Sequence, residues 1–254
     1  MRHVPTLLRR ELTAYFLSPM AYFILLAFQV IAAINFHEMV ELLSRPEVAI
    51  SGLRDPLNSY ISASTPFWIA LLVAVPALTM RLIAEERRSG TIEVLLTAPV
   101  TEAEVVLAKW AAGLAMYLAL LGPFALYLPF LRHYGAYPFD PGPLGSLGLG
   151  LTTLGMMFVA IGVFFSAATR NQVEAAVGTF VVLFVLLLMT LLAYTVAVER
   201  GAAWADAVRF SAVLYQVSEF GAGRLDLRFL AMHLSVAVFM LFAAVKVLEA
   251  RRGS

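Results

Sequence analysis

The chain has 254 residues, of which 61% are hydrophobic and 14% charged, with a formal net charge of +1 and no cysteine. Soluble domains usually carry about 25% charged residues, so the composition excludes a hydrated globular domain and predicts a protein integral to a membrane. The near-zero net charge gives no support for nucleic acid binding, and the lack of cysteine excludes a disulfide framework, a thiolate zinc site and a cysteine nucleophile.

The first predicted element is an amphipathic helix over residues 1–17. Apolar side chains fall near one of its faces and basic or polar ones largely on the other. A basic amphipathic helix of this kind lies in the membrane interface. A cleaved signal peptide is the alternative, but the apolar run that follows reaches a full span and five more come after it.

Six apolar segments are long enough, or nearly so, to cross a bilayer, which takes about 20 residues in a helix. They lie at residues 19–36, 66–82, 107–131, 144–168, 175–198 and 229–248. These runs are continuous and lack the alternation of a membrane β-strand. The predicted fold is therefore all-α: a single transmembrane domain over residues 1–254, in which six membrane helices follow the interfacial helix along the chain.

The ends of these segments carry helix-start chemistry. Ser18 and Thr65 each precede a proline that suits the first helical position. Thr101 with a glutamate three residues later, and Asn171 with the same spacing, resemble capping boxes. Asp226 is predicted to cap the last helix.

The distribution of Lys and Arg predicts the orientation, because short cytoplasmic loops carry an excess of them. With the N-terminus inside, eleven of the 18 lie on the cytoplasmic side and seven on the outer side, and both lysines belong to the larger set. We therefore predict a multi-pass protein of the cytoplasmic (inner) cell membrane with both termini in the cytoplasm. The loop at residues 199–228 then faces outward.

The predicted spans contain no Asp or Glu. Proton-coupled carriers commonly use such carboxylates as relays, so the chain is poorly equipped to use a proton gradient. His233 is interpreted as a helix-packing partner, with a proton relay as the alternative. The two lysines, Lys109 and Lys246, do not follow a phosphate-binding loop, so a transporter built on this chain would take its energy from a partner.

One charged segment, residues 81–110, lies between two strongly apolar ones. Ser89 and Gly90 can break or redirect a helix, a short amphipathic piece follows at residues 91–96, and Pro99 ends it. A short helix held between two spans would move both of them when pushed. The alternative is an ordinary solvated loop whose arginines contact lipid phosphates.

The run from Leu78 to Val100, LTMRLIAEERRSGTIEVLLTAPV, followed by Lys109, resembles the signature of ABC-2-type permeases, the membrane subunits of ATP-binding-cassette transporters. It is most similar to the gliding-motility-type branch. Arg10-Glu11-Leu12 and the last residues of the chain are similar to that branch as well.

This resemblance implies a coupling segment at residues 84–98 that docks on a separate ATPase subunit, and a connecting helix at residues 1–17 beside the same subunit. The ATPase-coupling residues implied are Glu85, Glu86, Arg87, Arg88, Ser89, Gly90, Thr91, Ile92, Glu93 and Leu96, with Arg9, Arg10 and Glu11 on the connecting helix. It also implies a second permease chain, identical or different, short re-entrant helices within residues 199–228, and ATP-driven export of substrate. No catalytic, cofactor-binding or metal-ligating residue is expected in this chain; ATP and Mg²⁺ would bind to the partner.

Two further functions stay open from the residues alone. One is a membrane scaffold that anchors a motility or assembly complex and transports nothing, and the other is a secondary carrier. The small-residue pair Gly162 and Ser166 in the fourth span is expected to pack inside one subunit, with a seam between two subunits as the alternative. The transported substrate is not predicted.

Overall fold

The computed structural model of the chain describes residues 3–43, 61, 64–90, 100–135, 141–196 and 203–252, and within these ranges all regular structure is helical. The described helices, numbered in chain order, are α1 (Val4–Leu17), α2 (Pro19–Leu43), α3 (Thr65–Thr79), α4 (Ala84–Arg88), α5 (Glu102–Gly135), α6 (Pro141–Ala168), α7 (Gln172–Val196), α8 (Ala203–Ser211), α9 (Val213–Gly221) and α10 (Leu227–Arg252).

Five of these helices, α2, α5, α6, α7 and α10, are long and apolar enough to cross a membrane. Helix α3 is also apolar but has only 15 residues, which gives about 22 Å at 1.5 Å per residue, against a core of about 30 Å. The prediction of an all-α membrane protein is confirmed. The predicted span at 66–82 stays a prediction, because α3 ends at Thr79 and residues 80–83 form a turn before α4.

Helix α6 lies at the centre of the bundle and contacts α3, α5, α7, α9 and α10. Two of its glycines permit close approach: a Cβ added at Gly162 would lie 2.1 Å from Thr79 Oγ1, and one at Gly155 would lie 2.1 Å from the ring of Tyr117. Any side chain at either position would collide with its neighbour. Gly162 therefore packs inside the subunit, as the first of the two interpretations predicted.

Hydrogen bonds and ion pairs show which helix ends lie together. Ser166, in the last turn of α6, donates to the carbonyl of Met80 after α3, and Lys109 on α5 reaches Glu11 on α1. We call this the charged end of the bundle: α1, residues 80–90, the first turns of α5 and the last turn of α6. At the opposite end, Ser146 near the start of α6 donates to the carbonyl of Phe220 on α9.

The predicted caps are mostly confirmed. Thr101 and Glu104 form a capping box, with Glu104 N 3.3 Å from Thr101 Oγ1 and Thr101 N 3.2 Å from Glu104 Oε2. Asn171 accepts from Val173 N at the start of α7, and Asp226 accepts from Arg228 N at the start of α10.

Two of the predicted caps were wrong. The cap of α3 is Ser64, whose hydroxyl accepts from Phe67 N, because the helix starts one residue before the position expected from Pro66. Ser18 Oγ accepts a hydrogen bond from Arg81 Nη1 at 3.3 Å, and not from the backbone of α2.

The segment predicted to hold re-entrant helices contains α8 and α9, two short helices at the opposite end. Gln216 on α9 donates to the carbonyl of Phe210 at 2.6 Å, which leaves its Oε1 to accept from His233 Nε2 at 2.9 Å. His233 Nδ1 lies 3.1 Å from Thr153 Oγ1 on α6. The imidazole thus joins α6, α9 and α10, which confirms its interpretation as a helix-packing partner.

Candidate functional site at the charged end

Lys109 is the central residue of the charged end. It lies on the second turn of α5, and its side chain is only 2% exposed. Its Nζ lies 3.1 Å from Glu11 Oε2 on α1 and 3.0 Å from Glu86 Oε1 on α4. One buried ammonium group therefore joins three separate elements.

Arg10 completes this cluster. Its Nη2 lies 2.7 Å from Glu11 Oε1 and 3.0 Å from Glu86 Oε1. Burial lowers the pKa of Arg10, but the hydrogen bonds and charges of the two carboxylates outweigh it, so the pKa is raised above its ordinary value. We call Arg10, Glu11, Glu86 and Lys109 the four-residue cluster; it has two positive and two negative charges, so each buried charge has an opposite neighbour.

A second ion pair lies beside this cluster. Arg81 donates through Nε and Nη2 to the two carboxylate oxygens of Glu85, at 2.7 and 2.9 Å. These hydrogen bonds are the main reason that the pKa of Glu85 lies below its ordinary value. Tyr15 on α1 donates to the carbonyl of Leu78 at 2.7 Å. The end of α3 is thereby held to α1 and, through Ser18, to the start of α2.

Helix α4 is also attached to the centre of the bundle. Ser166 Oγ on α6 accepts from Ile83 N at 2.9 Å and from Ala84 N at 3.1 Å, so it satisfies two backbone donors at the start of α4. In return, Arg87 donates to the carbonyls of Ala167 and Thr169 at the C-terminal end of α6. A guanidinium group at that end also has a favourable interaction with the helix dipole.

A cavity of about 430 Å³ lies between α1, α2, α3 and α4. Its lining combines apolar side chains of α1, α2 and α3 with the charged side chains of both ion-paired groups. Arg10 and Glu86 both line this cavity, and their contact joins α1 to α4. The link between these two helices is therefore ionic at this point rather than apolar.

A model of the ABC-2 family transporter proteins matches residues 12–205, which include α2 to α7 and most of the charged end. The chain belongs to the ABC-2 transporter family. It is a multi-pass membrane protein and a permease subunit of an ABC transporter, a transport subunit that is not itself a hydrolase. A comparison with curated proteins finds no match to the chain. The gliding-motility-type branch stays a prediction.

The permease brings together several residues that the resemblance singled out. Arg10 and Glu11 on α1, the predicted connecting helix, lie beside Glu86 of the predicted coupling segment: Arg10 contacts both carboxylates, although α1 and α4 are far apart in sequence. Glu85 pairs with Arg81, and Arg87 binds to the end of α6.

Other predicted positions lie apart from the cluster. Arg9, Arg88, Ser89 and Gly90 are exposed, and Gly90 has a φ of 72°, which favours glycine. The remaining four predicted coupling residues fall outside the described part of the permease: Thr91, Ile92, Glu93 and Leu96.

Sequence reasoning missed two residues of the site. Lys109 was part of the family motif but was not assigned to coupling, although a lysine inside an apolar helix suggests a buried partner. Ser166 was noted only as a small residue. Its hydroxyl has a specific role only because Ile83 and Ala84 are its neighbours in space, and no local pattern indicates that.

Proposed function

We propose that this permease is part of an ATP-binding-cassette exporter, and that its charged end receives motion from a separate ATPase subunit. The observation that carries this proposal is the contact of buried Lys109 with both Glu11 and Glu86. In a chain of the ABC-2 family, this contact ties the coupling segment to the connecting helix and to the third predicted span.

The four-residue cluster would transmit force because it is costly to break. Removal of one partner of a buried ion pair costs about 3–5 kcal/mol, since an uncompensated charge is left behind. Displacement of α4 is therefore expected to carry α1 and α5 with it. Ser166 and Arg87 add α6 to the same unit, so a movement at α4 reaches the centre of the bundle.

The arrangement in the membrane follows from this role. We place the charged end and both termini in the cytoplasm of a cell whose cytoplasmic membrane holds the permease, with α8 and α9 on the outer side. ATP and Mg²⁺ bind to the partner subunit, and the permease itself holds no cofactor. Two permease chains, identical or different, enclose the substrate route, and the substrate moves outward. The gliding-motility-type branch is the proposed subfamily.

A pull-down in mild detergent, with ATPase assays on the purified complex, tests this proposal. The tagged permease should bring down a soluble P-loop protein in stoichiometric amounts, with vanadate-sensitive hydrolysis. The hydrolysis rate should then change when the permease is reconstituted with that ATPase in lipid nanodiscs. A permease that purifies alone, or an ATPase indifferent to its presence, would contradict the proposal and favour a scaffold.

A further inference from the structure

Three carboxylates of the charged end are held in ion pairs. Glu11 and Glu86 are held by Lys109 and Arg10, and Glu85 is held by Arg81. Each of these three carboxylates is thus already matched by a cation, and Glu85, whose side chain is 45% exposed, is matched by Arg81.

Two arginines on different segments face outward. Arg88 is the last residue of α4, and Arg170 lies in the turn between α6 and α7; both are exposed. Neither side chain forms a hydrogen bond or ion pair with another residue that the structure describes, although the charge of Arg88 contributes to the lowered pKa of Glu85. Both guanidinium groups are thus available to a partner.

The two segments that carry these arginines are joined by a hydrogen bond. Arg87, next to Arg88, donates to the carbonyl of Thr169, next to Arg170, at 2.9 Å. Because a carbonyl is uncharged, this bond leaves the charge of Arg87 uncompensated. The described acidic side chain closest in sequence to Arg170 is the exposed Glu174 on α7. The three arginines, Arg87, Arg88 and Arg170, and the one glutamate, Glu174, therefore have a combined charge of +2.

We propose that Arg88 and Arg170 form a composite docking surface, contributed by two separate segments, that binds an acidic patch on the ATPase subunit. This inference rests on the proposed function and adds the chemistry of the partner and a second contact segment, the turn at residues 169–171. A folded protein can match a fixed spacing between two charges on two segments. Lipid phosphates rearrange around any pattern of cations and need no such junction.

The experiment measures the affinity between the permease in nanodiscs and the purified P-loop ATPase that co-purifies with the wild-type chain. The variants are Arg88→Glu, Arg170→Glu and their combination. The double reversal should raise the dissociation constant about tenfold or more, because like charges then oppose each other across the interface. Each single reversal should have a smaller effect, and the salt dependence of binding should become weaker in the variants.

Two matched controls separate charge from general damage. Glu174→Gln removes the opposing charge from the same surface and should leave the affinity unchanged or increase it. Arg224→Gln lies at the opposite end, where Arg224 pairs with Glu219, and should not alter binding. Thermal unfolding of each variant verifies that the fold is retained.

The outcomes are distinguishable. If the wild-type permease binds no ATPase, the proposed function fails. If the wild type binds and the double reversal binds equally well, with or without anionic lipid in the nanodisc, the docking surface is wrong and the proposed function stands. If Arg224→Gln loses as much affinity as the double reversal does, the docking surface is also wrong.

Discussion

The Nζ of Lys109 lies 3.1 Å from a carboxylate oxygen of Glu11, so a lysine within the first turns of a predicted span is paired with the interfacial helix. The same Nζ lies 3.0 Å from Glu86. Helices α1 and α4 thus share one cation on α5. A separate subunit that pushes on α4 would act on all three elements.

Replacement of Lys109 by Met should strongly destabilise the permease. It leaves Glu11 and Glu86 buried with Arg10 as their remaining partner in the cluster, at a cost of about 3–5 kcal/mol. The measurement is the unfolding temperature in detergent, read by intrinsic fluorescence. Lys246→Met is the control, because Lys246 is exposed and pairs with the exposed Glu249, so its loss should cost about 1 kcal/mol or less. Equal effects of the two substitutions would contradict the central role of Lys109.

Removal of the Ser166 hydroxyl should weaken the link between α4 and α6. In Ser166→Ala, the N–H groups of Ile83 and Ala84 lose their acceptor, which costs about 1–3 kcal/mol. Permease-stimulated ATP hydrolysis should fall more than the affinity for the ATPase does. Ser211→Ala, whose hydroxyl bonds only within its own helix, should alter neither quantity. Full stimulation in Ser166→Ala would show that this hydroxyl does not transmit motion.

A methyl group at position 162 should be poorly tolerated. The added Cβ would lie 2.1 Å from Thr79 Oγ1, and overpacking of this kind costs about 1–3 kcal/mol. Gly162→Ala should therefore lower the unfolding temperature, and a second substitution, Thr79→Ala, should recover part of the loss. By contrast, Gly122→Ala meets nothing within 4 Å and should be neutral or stabilising, since alanine favours helix by about 1 kcal/mol over glycine. Similar losses in both would argue against close packing of α3 on α6.

The Arg81–Glu85 pair predicts a specific pH dependence. Because the pKa of Glu85 is lowered, its contribution is fully present above the ordinary carboxyl pKa and is lost as the pH falls through the lowered value. The pair is partly exposed, so it contributes about 0.2–1 kcal/mol. Glu85→Gln should lower the unfolding temperature by a constant small amount between pH about 6 and about 8, and the difference should shrink below pH about 4. A difference that changes near neutral pH would contradict this assignment.

Much of the fold could be predicted because its signals are local. The apolar runs that became α2, α5, α6, α7 and α10 meet the length that a bilayer requires. The capping box of Thr101 and Glu104 depends on a spacing of three residues, which the sequence shows directly. The family motif placed Arg10, Glu11 and Glu86 at the candidate site.

The parts that could not be predicted depend on contacts between distant segments. The partner of Lys109 is decided by how α1 crosses the start of α5, and the role of Ser166 by how α6 ends beside α4. The cap at Ser64 was missed because proline is acceptable at either of the first two helical positions. Apolar helices can also pack against each other in many ways. The hydrogen bonds from Arg87 to the carbonyls at the end of α6 therefore have no signature in the local sequence.

The most direct test of coupling through α4 compares two properties of Glu86→Gln in nanodiscs with the purified ATPase. Its affinity for the ATPase should match the wild type, because Glu86 faces Lys109 and Arg10 rather than the proposed docking surface. Its stimulation of ATP hydrolysis should fall about tenfold or more if the lost ionic contacts carry a few kcal/mol of coupling. Full stimulation by a folded Glu86→Gln permease would contradict the account.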